Sequence, residues 1–140
     1  MPFVVYENEN KTVSVLYPSG ELSLNDTIAK DIPKNTRYFI TDVVLDYSYS
    51  EAWRFHPAVG IAIDQVQLRL THLDKMRAAR VKLFPPLDIA YMRALEQGDT
   101  ATQYLIAAKK QALRDVTKTD LSTITTVEQI KTIWPACLTA

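Results

Sequence analysis

"IAIDQVQLRLTHLDKMRAARVKL", residues 61–83, is the stretch that decides how the chain is divided. Apolar residues stand at Ile63, Val66, Leu70, Leu73 and Met76, with spacings of 3, 4, 3 and 3. A repeat of about 3.5 residues draws them into one narrow stripe on a helix, the width of a helix–helix seam. At about 1.5 Å per residue the run predicts a helix of about 30 Å. Asp64, Gln65, Gln67 and Arg69 lie beside the stripe, so much of the helix should face water. Ile63, Val66, Leu70 and Leu73 are therefore expected to meet a partner's helix or a second copy of this chain.

The sequence downstream of this run also reads as helical. "FPP" (84–86) breaks the long helix, and Pro86 fits the first turn of the next, "LDIAYMRALEQ" (87–97). Gly98 closes that helix. Thr100 and Gln103 match a capping box for a third helix running to about Asp115. Ala101, Tyr104, Leu105, Ala108 and Ala112 share one of its faces. A last short helix should start at Thr125 or Thr126, capped by Glu128 or Gln129, and end before Pro135; Trp134 is expected to close the bundle core.

Upstream the period changes to two. "FVVY" (3–6), "TVSVLY" (12–17) and "RYFITDVV" (37–44) read as strands, and Val13, Val15 and Tyr17 make a half-buried alternation. Ser23 is an N-cap candidate for a short helix, "LNDTIAKDI", which Pro33 ends. The fold class expected is α+β. A small antiparallel β lobe with a short helix occupies residues 1–56, and a helical lobe with a long first helix occupies 57–140.

Composition limits the functions open to the chain. Of 140 residues, 47% are hydrophobic, enough for an ordinary core. Lys plus Arg equals Asp plus Glu at 16 each, and phosphate binding normally needs a basic excess, so nucleic acid is not an expected partner. One cysteine, Cys137, excludes an internal disulfide and a Cys-rich metal site. No apolar run nears the ~18 residues of a membrane helix, and "MPFVVYENEN" lacks signal-peptide character, so a cytoplasmic chain without a membrane partner is expected.

Catalytic signatures are sparse. His56 and His72 have no ligand-spaced Cys or His, so no metal or cofactor is expected, and His72 reads as a solvated or half-buried helix residue. With Gly20, Gly60 and Gly98 the only glycines, no phosphate loop forms. Asp42 and Asp46 are carboxylates four apart without further support. The chain is not expected to be an enzyme, and a small hydrolase is a remote alternative. "DYSYSEAWRF" (46–55) gathers Tyr47, Tyr49, Trp53 and Phe55. These rings fit a partner-binding patch as well as an apolar plug. Lys75, Arg77, Arg80 and Lys82 read as the solvated, dipole-compensating end of the long helix.

One resemblance adds to this reading. "MRAARVKLFPPLDIAYMRALEQGDTATQYLIAAKKQALRDVT" (76–117) resembles the C-terminal region of small tailed-bacteriophage proteins encoded beside tail-fibre genes. Their features are an Arg-x-x-Arg pair, here Arg77 and Arg80; an Asp opening the next helix, here Asp88; and a "QALRD" helix end, here Gln111 to Asp115 with Arg114. "LSLNDTIAKDIPKNTRYFITD" (22–42) and "EAWRF" (51–55) are similar to segments of the same proteins. The resemblance implies a tail-fibre assembly chaperone or accessory protein in the host cytoplasm, binding the fibre polypeptide non-catalytically. The alternative is a tail component retained in the virion. On physical grounds the motif residues are expected to brace a helical hairpin, with Asp88 or Asp115 locking Arg77, Arg80 or Arg114 between helices and Asp88 the first candidate for Arg114.

Overall fold

The computed structural model describes residues 1–139. It has the α+β architecture expected, an N-terminal antiparallel sheet followed by helices. Contacts divide the chain into two compact units, one ending at Leu68 and the next beginning at Arg69.

In the first unit, β1 (Phe3–Glu7) lies between β2 (Val13–Leu16) and β3 (Tyr38–Thr41), antiparallel to both. The register sets Val5 opposite Val15 on one side and Phe39 on the other. With a side-chain period of two, these residues share a face. A second hairpin, β4 (Trp53–His56) with β5 (Gly60–Ile63), sets Phe55 opposite Ile61. Phe3, Val5 and Phe55 form the buried centre, with Val13, Val15, Phe39, Leu45 and Ile61 packed around it. Helix α1 (Leu24–Asp31) starts as expected, with the Ser23 hydroxyl accepting the Asp26 N–H at 3.1 Å.

β5 corrects the sequence reading, which ran the long helix from Ile61. Residues 60–63 belong to the hairpin, and α2 is Gln65–Val81. The Asp64 carboxylate accepts the Gln67 N–H at 3.1 Å, so Asp64 marks the helix start. Gly60 makes the hairpin possible. Its φ is +84°, and an added Cβ would lie 2.8 Å from a Phe39 ring carbon and 2.9 Å from a Val5 methyl. Only glycine brings this backbone so close to the sheet.

In the second unit, α3 (Phe84–Glu96) and α4 (Thr100–Asp115) form a hairpin around Gly98, whose φ is +67°. The expected Thr100–Gln103 capping box is absent. Asp99 caps α4 instead, accepting the Thr102 N–H at 3.1 Å, and Gln103 turns back to the Ala94 carbonyl. A carboxylate one residue earlier satisfies the same orphan donors and complements the dipole. The core holds Met76, Leu113, Val116 and Leu138, with Leu73, Phe84, Leu87 and Ile133 packed against it. Helix α5 (Val127–Lys131) has the expected box between Thr126 and Gln129. His72, expected to be solvated or half-buried, is 1% exposed. Its Nε2 donates to the Ile133 carbonyl at 2.7 Å, which satisfies the buried ring. Trp134 does not close the core; it is 36% exposed and stands edge-on to His72.

Candidate functional site

The aromatic cluster of the first unit is mostly internal. A short 3-10 turn spans Tyr47–Ala52, held at its start by the Asp46 carboxylate on the Ser48 N–H. It turns Tyr49 inward to 4% exposure, and Trp53 on β4 follows at 6%. Buried rings offer no face to a partner, so these two act as the plug. Tyr47 alone of the three candidates is exposed, at 49%. Its ring lies 5.1 Å from Trp53, and its hydroxyl shares a 2.6 Å hydrogen bond with that of Tyr17. That bond, helped by partial desolvation, pushes the Tyr47 phenol up to about 12.

Of the four residues expected to face a partner, Val66 and Leu70 stand uncovered one turn apart on α2. Ile63 lies on β5, while Val66 and Leu70 are exposed at 65% and 47%. Leu73 packs against the core of the second unit. The buried side of α2 runs through Leu68, Thr71, His72 and Met76. Two of those four are polar, so apolar spacing alone does not mark the side that packs inward.

Two of the motif residues, Arg80 and Asp88, join helices, though not through the expected pair. Arg80 donates to the Leu113 and Arg114 carbonyls at 3.3 and 3.1 Å, satisfying the end of α4. Asp88 pairs with Lys110 at 2.6 Å, not with Arg114. Arg114 donates instead to the Gln111 side chain at 3.4 Å and also draws on the Asp115 charge. The register of the α3–α4 hairpin sets Asp88 opposite Lys110, one turn before Arg114. Arg77 pairs within its own helix with Asp74 at 2.7 Å. The Asp115 carboxylate meets Lys118 at 3.1 Å and Gln111 at 3.0 Å, and the Lys118 hydrogen bond holds it below the usual carboxylate range.

An uncovered apolar row in the second unit is one the sequence named only as a helix face. Ala101, Leu105, Ala108 and Ala112 are all exposed along α4, at spacings of 4, 3 and 4. Tyr104 stands beside them at 78% exposure, and Ile89 and Met92 on α3 are exposed at 56% and 54%. The hairpin thus buries Ala94, Ile106 and Leu113 and leaves a second apolar row outside. An apolar cleft of about 390 Å³ opens elsewhere in this unit, lined by Leu83, Pro86, Leu87, Lys109, Leu113 and Cys137. Among the described residues, no three His, Cys, Asp or Glu side chains group to hold a metal, and no helix is long and apolar enough to cross a membrane. Comparison with known proteins finds no family model, curated protein or solved structure that matches the chain.

Proposed function

We propose that the chain is a non-catalytic polypeptide-binding protein that assists assembly of a phage tail fibre in the host cytoplasm. The observation carrying this reading is the exposed row Ala101, Leu105, Ala108 and Ala112 with Tyr104 beside it. A row of this spacing fits a helix or extended apolar segment laid along α4. Contiguous apolar surface on a small protein marks an interaction site. The tail-fibre partner comes from the resemblance carried by Arg77, Arg80, Asp88 and Gln111–Asp115. A folding fibre chain exposes apolar surface and strand edges before it trimerises, and a binding partner would shield them.

The test is co-expression with a phage tail-fibre polypeptide. The fibre should co-purify with the chain and yield more soluble trimer. Leu105→Glu should abolish both effects while the second unit melts as before, because Leu105 is 65% exposed. An unchanged fibre yield with and without the chain would refute the proposal. Stoichiometric recovery of the chain from purified virions would instead make it a retained tail component.

A further inference from the structure

The cleft of the second unit has the make-up of a site for a small amphiphile. Its volume of about 390 Å³ falls within the ordinary span of small-molecule pockets, roughly 300–1,000 Å³. Leu83, Pro86, Leu87 and Leu113 supply apolar walls. Leu83, Leu87, Leu113 and Cys137 also belong to the core around Met76 and Leu138, so the cleft floor is continuous with the packed interior. Lys109 is the one charged side chain in the lining. Its neighbour Lys110 is tied to Asp88 at 2.6 Å. Lys109 has no ion-pair or hydrogen-bond partner among the described residues.

An apolar cavity with one uncommitted ammonium selects a ligand with an aliphatic body and a single negative end. A neutral chain would leave the ammonium unused, and a cationic one would be repelled by it. We infer that the cleft binds a medium-chain aliphatic carboxylate, with its chain along Leu83, Leu87 and Leu113 and its carboxylate on Lys109 Nζ. This inference stands apart from the tail-fibre reading, since it uses neither the α4 row nor a polypeptide partner.

Cys137, half-buried in the cleft lining and the only thiol, provides the readout. The full chain is alkylated at neutral pH with iodoacetamide, a neutral reagent, in the presence of decanoate, decyltrimethylammonium or acetate. Decanoate should slow alkylation at concentrations on the order of three- to tenfold below those that decyltrimethylammonium needs, the difference between one surface attraction and one repulsion. Acetate, having no chain, should not protect. Lys109→Glu leaves an exposed position on α4 folded and should invert the order of the two amphiphiles. Unfolding by an amphiphile would speed alkylation, so protection cannot be mistaken for it. The proposal is overturned if decanoate gives no protection, if acetate protects as well, or if both amphiphiles act equally. Survival of the wild-type order in Lys109→Glu overturns it too.

Discussion

Replacing Gly60 by alanine tests the packing logic of the first unit. The residue sits at φ +84°, with Phe39 and Val5 carbons 2.8 and 2.9 Å from where a Cβ would stand. An L side chain in this left-handed region costs about 1–2 kcal/mol. Pushing a methyl into a packed contact costs typically ~1–3 kcal/mol. Val5 is fully buried on the central strand and cannot swing away. Reduced freedom of the unfolded chain returns about 0.4–1 kcal/mol. The net expectation is a loss of about 3 kcal/mol. Gly20→Ala is the control, because φ there is +90° but nothing lies within 4 Å. That change should cost about 1 kcal/mol, strain alone. Urea unfolding followed by Trp53 fluorescence, in a Trp134→Phe background, reports the first unit selectively. If the two alanine variants differ by less than ~0.5 kcal/mol, the close approach of β5 to the sheet does not limit this position and the reasoning fails.

Arg80→Ala should lower the stability of the second unit by about 1–2 kcal/mol, since it leaves two α4 carbonyls without their charged donor. Arg114→Ala, which removes a 3.4 Å contact to Gln111, should change thermal melting little; the reverse ranking would restore Arg114 as the brace. Leu73→Glu should destabilise the second unit by placing a charge at a partly buried position against its core, while Leu70→Glu at a 47% exposed position should leave melting unchanged. Equal losses in the two would place both residues in the core. Tyr47 should make the first unit sensitive to alkaline pH. Its folded phenol holds the proton more tightly than the unfolded one, with the value raised from 10.0 to about 12. The stabilisation is therefore whole below pH 10 and lost as pH rises to about 12. Urea midpoints of Tyr47→Phe should fall less across that window than those of the wild type, and parallel curves would contradict the shift.

What could be read from the residues alone depended on whether local chemistry or tertiary contact decided the outcome. The Ser23 cap, the Gly98 turn and the Thr126–Gln129 box were legible because each is satisfied within four residues of chain. The β4–β5 hairpin was missed, although Trp53 and Phe55 alternate with Arg54 and His56, and Gly60 ends a Pro57-containing turn. Four-residue strands give too few alternations to outweigh the helical spacing that follows them. The buried face of α2 was not legible for a different reason. Thr71 and His72 are buried polar residues, and the bond that satisfies His72 comes from Ile133, 61 residues away. Apolar periodicity assumes that buried positions are apolar, so two buried polar residues hide the face that packs inward. Arg80 shows the same limit for charge. As a residue near a helix end it reads as solvated, but its two acceptors are carbonyls on another helix. Of the candidate site, the α4 row was visible as a periodic face. Its exposure was not, because that depends on which side of α4 the register of the α3–α4 hairpin turns inward. That register carries Asp88 to Lys110 at the hairpin's flank and leaves Leu105 outside. The apolar row on α4 is thus exposed by hairpin geometry, not by a lack of apolar residues to cover it.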